Sequence, residues 1–125
     1  MRSKLALLWV SGALLALTGC GKSAAQAAAA LTGGDPERGA AALARYGCGS
    51  CHTIRGVSGA RGRVGPPLSG MAGHSYVAGM LENSPGNLRY WIQHPRAVNP
   101  KTAMPELGVT DQDATDISAY IYAIR

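Results

Sequence analysis

Two cysteines separated by two residues and followed directly by a histidine, Cys48-Gly49-Ser50-Cys51-His52, carry the most specific chemistry in this chain. Thiols at this spacing can form a redox dithiol or half of a zinc site. They can also attach a ring bearing two vinyl groups, with the adjacent imidazole placed to bind the metal of that ring. A zinc site needs further ligands in a second tight cluster, whereas His74 and His94 stand alone and no cysteine follows Cys51. A redox dithiol belongs in a strand-helix-strand setting, and no such pattern surrounds this one. The reading that fits is one covalently attached haem c, with thioether bonds from Cys48 and Cys51 and iron ligation by His52.

Iron bound on one side by His52 needs a sixth ligand if it is to change oxidation state with little rearrangement. Met104 lies in the irregular, proline-bounded stretch Asn99-Pro100-Lys101-Thr102-Ala103-Met104-Pro105, far enough beyond His52 for the chain to pass round the ring edge and return on the other face. Met71 and Met80 read as packing. His74 and His94 are the alternative ligands, although a solvated surface histidine is the more ordinary role for each. In Gly65-Pro66-Pro67-Leu68 the carbonyl of Pro66 sits in a stiff turn and can accept the second ring N–H of His52, which would fix the ring and make it a better ligand. Trp91 is expected to be buried, either against the haem or as an ordinary core tryptophan.

The elements that must position these residues are helical. Asp35-Pro36-Glu37 has the form of a cap, a first-turn proline and a dipole-matched acid, and it predicts a helix to about Tyr46 or Gly47. Gly39 and Leu43 share a face of that helix, and the glycine permits close crossing by another helix. Thr110-Asp111-Gln112-Asp113 caps a last helix whose stripe of Ile117, Tyr120, Ile121 and Ile124 should meet that face. Ser84-Pro85 opens a helix with Leu88, Trp91 and Ile92 on one side, ended by Pro95, and Ser75 to Glu82 is expected to form a short helix capped by Ser75. Thr53 to Val64 reads as loop, with Arg55, Arg61 and Arg63 as solvated charges or, for one of them, a partner for a haem propionate.

At 125 residues, with 17 glycines, no phenylalanine and two tryptophans, the chain has room for one small domain but few large side chains to fill it. A buried haem would supply the missing apolar surface. Basic Met1-Arg2-Ser3-Lys4 and the 13-residue, mostly apolar run from Leu5 to Leu17 form an export signal too short to span a bilayer. Leu17-Thr18-Gly19-Cys20 then resembles a bacterial lipobox, which divides the chain into a signal peptide over 1–19, a lipidated Cys20 with a flexible tether over 20–34, and a haem domain over 35–125. Ordinary cleavage after Ala25-Gln26-Ala27 is the alternative. As a tether, Gly21 to Gly34 could reach up to ~45 Å extended, or nearer ~20 Å as a coil, and a transiently helical alanine run would shorten that reach without changing the role. The formal charge of +5 falls to +3 without Arg2 and Lys4, and two ionised propionates bring it to about +1. With no basic run, nucleic acid is a poor partner.

Together these residues resemble class I cytochrome c from Asp35 to Arg125. The resemblance is carried by Cys48-Gly49-Ser50-Cys51-His52, Gly65-Pro66-Pro67-Leu68, Asn87 to Pro95, Met104-Pro105 and the last helix with Tyr120. Within the class the chain is most similar to the haem domain fused to subunit II of some haem-copper oxidases, with a lipobox in place of the oxidase part. The resemblance implies an all-α fold of three to five helices around a covalent haem, the first and last helices crossing, and a haem edge exposed for electron exchange. It implies an electron carrier rather than an enzyme, tethered through lipid on the periplasmic side of a bacterial membrane, with a terminal oxidase or similar respiratory complex as redox partner and no small-molecule substrate. A fixed subunit of a respiratory complex, or a ligand-binding haem protein with a labile sixth ligand, are the alternatives. Two positions depart from the family pattern: His74 stands where relatives often carry arginine near a propionate, and Lys101 where glycine often precedes the ligand loop.

Overall fold

The computed structural model describes residues 23–125, so the expected signal peptide and Cys20 lie outside the described residues. Within that range run α1 (Ala24–Thr32), α2 (Pro36–Arg45), α3 (Pro85–Gln93), α4 (Pro95–Val98) and α5 (Asp111–Ala123). A two-stranded antiparallel ladder of β1 (Tyr76–Val77) and β2 (Leu81–Glu82) precedes α3. The mostly helical fold expected from the sequence is present, and no described helix is long and apolar enough to cross a membrane.

The frame is the crossing of α2 and α5. Asp35 caps α2 by accepting from the backbone N–H groups of Glu37 at 2.8 Å and Arg38 at 3.1 Å, and Thr110 caps α5 by accepting from the N–H of Asp113 at 3.2 Å. Leu43 and Ile117, each 1% exposed, belong to the core they share. At the crossing, a β-carbon on Gly39 would overlap the carbonyl oxygen of Asp116, so only glycine allows the two backbones to approach this closely.

Asp116 was not singled out by the sequence, yet it pins that crossing. Its carboxylate is almost fully buried, and it accepts from the backbone N–H of Asp35 at 2.7 Å, from Arg38 Nε at 2.8 Å and Nη2 at 3.0 Å, and from Gln112 Nε2 at 3.1 Å. Burial alone would push its carboxyl up. The hydrogen bonds from Arg38, Asp35 and Gln112 outweigh burial and hold it below the ordinary carboxylate range. Farther along the same seam Asp113 accepts from the Tyr46 hydroxyl and from Arg45 Nη2, both at 2.7 Å. These bonds, Tyr46 first, lower its carboxyl as well.

Two expectations are corrected. Residues 24–32, read as part of a flexible tether, form α1, which packs on α5 and buries Ala28. Ser23 and Gln26 make a reciprocal capping box, at 3.2 Å and 2.9 Å, and Gly33 closes the helix with a φ of 76°. The sequence concealed this because the docking face is built of alanine, which shows no apolar periodicity against an alanine background. A nine-residue helix is marginal alone, so contact with α5 is what holds it. The expected helix over Ser75 to Glu82 is instead the β1–β2 ladder, turned at Ala78 and Gly79, whose φ values of 53° and 68° are both left-handed. Gly79 weakens a helix there, Tyr76 and Val77 favour extended backbone, and Val77 is fully buried.

Because the native carboxyl of Asp116 is depressed, its contribution is complete above the unfolded carboxylate pKa of ~4 and is lost as pH falls through the native value. Asp116→Asn is expected to cost about 2 kcal/mol at pH 7, with the difference from wild type shrinking below pH ~4. Denaturant unfolding followed across that range would check both the size and the convergence.

Candidate functional site

Arg45 ends α2, and Gly47, at a φ of 72°, turns the chain into a single 3-10 turn over Cys48–Ser50. The backbone N–H of His52 donates to the Cys48 carbonyl at 3.0 Å, which sets the two thiols and the imidazole close together. Burial pushes the Cys48 thiol up, its own backbone hydrogen bond opposes this, and Cys51 adds a smaller push upward. Among the described residues no cluster of three or more His, Cys, Asp or Glu side chains is placed to hold a metal ion.

The loop after His52 folds back and grips this turn. Gly62 N–H donates to the Gly49 carbonyl at 3.0 Å, the Thr53 hydroxyl to the Gly62 carbonyl at 3.0 Å, and Gly65 N–H to the Cys51 carbonyl at 2.8 Å. Packing is tight enough that a β-carbon on Gly62 would overlap the backbone of Cys51, and one on Gly65 would overlap the His52 ring. The sequence showed these glycines as loop chemistry. Their contact with the motif depends on how the loop closes, which residue types and spacing do not show.

The carbonyl of Pro66 lies 2.6 Å from His52 Nδ1, as the sequence led us to expect. With the proton on Nδ1 the ring donates there, and the lone pair of Nε2 is left for a metal.

Above this turn opens a cavity of about 580 Å³, within the ~300–1,000 Å³ range of ligand and cofactor sites. Its wall is the protein's core: Leu43 from α2, Leu88 and Ile92 from α3, Ile117 and Ile121 from α5, and Val77 from β1 all line it. All six expected site residues reach the same cavity: Cys48, Cys51, His52, Pro66, Trp91 and Met104. Of the alternative ligands, His74 and His94 are exposed and lie off the wall. His94 instead stacks near Tyr90, with ring centroids 5.1 Å apart. Met71 also lines the cavity, while Met80 is 54% exposed. An apolar chamber with a thiol pair on its edge, an oriented imidazole and a thioether in its wall fits a haem.

The segment presenting Met104 is held by more than its prolines. Asn99 Oδ1 accepts from Lys101 N–H at 3.0 Å, and Thr102 Oγ1 accepts from Met104 N–H at 3.1 Å, two successive side-chain turns. Lys101 has no left-handed φ, so this loop needs no glycine there. Tyr122 donates to Asn83 Oδ1 at 2.6 Å, and Asn83 Nδ2 donates to the carbonyls of Met71 and His74 at 2.8 and 2.7 Å, which fixes the Met71 turn to α5. Arg55, Arg61 and Arg63 are exposed, and Arg55 Nη1 donates to the Arg125 carbonyl at 2.6 Å.

The family model for cytochrome c matches residues 36–124. A cytochrome c oxidase subunit 2 from Alkalihalophilus pseudofirmus is 28% identical over 79 residues, covering 62% of this chain and 22% of that protein. The chain therefore spans under a quarter of the length of the curated relative it matches. No solved structure matches it.

Gly65→Ala is expected to force the His52 ring from Pro66 and to lower the covalent haem carried per chain several-fold. Gly73→Ala, where a β-carbon meets open space, should leave it unchanged. Haem staining per mole of exported protein measures the comparison, and equal loading of the two variants would contradict the expected clash.

Proposed function

The chain belongs to the cytochrome c family, and from that premise we propose that it is a membrane-tethered carrier of single electrons, delivering them to a terminal oxidase or a similar respiratory acceptor. It is an electron-transfer protein with one covalently bound haem c. The bound haem supplies reversible one-electron chemistry at its iron. In this reading Cys48 and Cys51 hold the ring, and His52 ligates through Nε2 while Nδ1–H is anchored on Pro66. Met104 supplies the sixth, thioether ligand, which favours the reduced state. Trp91 and the aliphatic wall would line the bound haem and shield it from water, and with both iron ligands supplied by the protein no position would be left for bond chemistry on a substrate.

The observation that carries the proposal is the convergence of Met104 on the wall that also holds Cys48, Cys51 and His52, while His74 and His94 stay outside. A closed coordination sphere suits electron transfer and works against the ligand-binding alternative. Lipidation at Cys20 is supported by the lipobox-like Leu17-Thr18-Gly19-Cys20 and by the position of α1. Cleavage after Ala27 would instead remove the Ser23–Gln26 capping box and cut through a docked helix. The oxidase subunit relative supports the class of partner.

Met104→Ala in the loaded protein is expected to abolish the weak far-red iron–methionine absorption and to let carbon monoxide bind readily to the reduced form. Met71→Leu should do neither, although Met71 shares the wall. Rapid carbon monoxide binding by wild type, or loss of the band in Met71→Leu alone, would overturn the ligand assignment.

A further inference from the structure

The structure gives α1 a role that its composition concealed. The segment between the proposed lipid on Cys20 and the haem domain was expected to be a tether reaching up to ~45 Å. Instead Ser23 is already fixed in place, its hydroxyl and backbone N–H both engaged by Gln26. From there to Asp35 every step is tied down. Ala28 is buried in the same core cluster as residues of α2 and α5. The Thr32 hydroxyl donates to the Ala28 carbonyl at 2.8 Å, and Gly34 N–H donates to Thr32 Oγ1 at 3.1 Å. A β-carbon on Gly34 would overlap the carbonyl of Thr115, and Asp35 N–H donates to Asp116 at 2.7 Å.

We propose that α1 is a strap that converts the tether into a short, stiff mount, holding the domain against the lipid surface in which Cys20 is anchored, with the N-terminal end of α1 facing that surface. The proposal rests on the reading that Cys20 carries lipid. Only Gly21 and Lys22 separate Cys20 from Ser23, so at most ~11 Å of chain lies between the lipid-bearing residue and α1. The strap also limits orientation. Gly34 and Asp35 meet α5 at Thr115 and Asp116, while Ile117 and Ile121 of the same helix line the cavity. At 100° per residue, Thr115 and Asp116 lie about 160° and 100° round α5 from Ile117, so the segment that joins α1 to α2 meets α5 away from the side that lines the cavity. The haem is thereby kept at a near-constant height over the bilayer without its cavity being pressed into the lipid. The partners it suits are redox centres seated in or on that same membrane.

The discriminating experiment places one flexible insertion at two points. Ten Gly/Ser residues are inserted either between Lys22 and Ser23 or between Gly33 and Gly34, in full-length, haem-loaded, lipid-bearing protein on vesicles of phosphatidylethanolamine and phosphatidylglycerol. Haem quenches a headgroup dye by energy transfer, so the time-resolved decay of the dye reports the height of the domain independently of any electron-transfer activity. With α1 docked, insertion before Ser23 adds roughly 17 Å of coil between Cys20 and the domain, and transfer should fall at least about twofold with a broader distance distribution. Insertion after Gly33 lengthens only a loop between two docked helices and should leave the decay as in wild type. Equal effects at the two points would mean that α1 swings free and would overturn the proposal. No effect at either point would mean that the domain is held by something other than the strap, and would overturn it too. Unchanged haem absorption and melting temperature certify that each insertion leaves the domain folded. Detergent-phase partition separates the two levels. If wild type partitions like Cys20→Ser, the lipid reading fails and the mount falls with it. If wild type enters the detergent phase but both insertions act alike, the strap alone is wrong.

Discussion

This chain does not carry enough large apolar side chains to close a core upon itself, and the rest of the fold follows from that constraint. It has no phenylalanine, and among the described residues its largest fully buried apolar side chains include Leu43, Leu88, Ile117 and Val77. They face a common cavity instead of filling one another's gaps, with one wall from each of α2, α3, α5 and β1. An aliphatic wall gains its contacts from what lies against it. A covalently held ring would therefore be packed on by all four elements, and losing it would remove contacts from each of them at once. Two thioether attachments at Cys48 and Cys51 suit such a demand, because a group that completes the core cannot be allowed to dissociate.

The walls still need a frame that stands without side-chain bulk, and the α2–α5 crossing provides one. Its closeness comes from a missing side chain at Gly39, and its registry from a buried carboxylate at Asp116 that collects donors from the start of α2 and from α5 itself. A charge this buried is costly unless every oxygen is engaged, and Arg38 with the Asp35 N–H engages both. Arg38 is itself 60% exposed at its side chain, so the pair keeps one foot in water and avoids the full desolvation cost of two buried ions. Leu43 and Ile117 then reach the cavity from a fixed geometry.

The attachment motif was legible because it is local: two thiols and an imidazole stand at fixed spacing, with a turn carbonyl at Pro66 a short way on, whereas Met104 is distant in the chain and was marked only by its proline-bounded loop. The helix starts were legible for the same reason, since Asp35-Pro36, Ser84-Pro85 and Thr110 carry caps that act within a single turn. What escaped was contact between small residues. Ala28 on α5, Gly62 on Cys51 and Gly65 on His52 make close approaches that leave no hydrophobic pattern, because the signal is the absence of a side chain. Asp116 escaped because a buried aspartate looks like a solvated one until its partners, eighty residues away in the chain, are folded against it. The turn at Ala78-Gly79 was hidden by an alanine where glycine or asparagine would have announced a left-handed φ.

The two proposed iron ligands are held by different kinds of structure, and this sets where the site can yield. His52 sits in a turn clamped by backbone hydrogen bonds to a second loop, with Gly49, Gly62 and Gly65 packed against the motif and the ring pinned on Pro66. Moving it means opening that clamp together with two thioether bonds. Met104 is held by turns within its own segment, Asn99 to Lys101 and Thr102 to Met104. Segments with few long-range hydrogen bonds open at lower free-energy cost than cross-braced ones, which open only with the domain. The stiffness on the Met104 side is thus local: prolines and side-chain turns preset the loop's shape without fastening it to the frame. Any departure from a six-coordinate state would begin there, with the histidine side and both attachments intact, so the ring would stay in place while its sixth position opened.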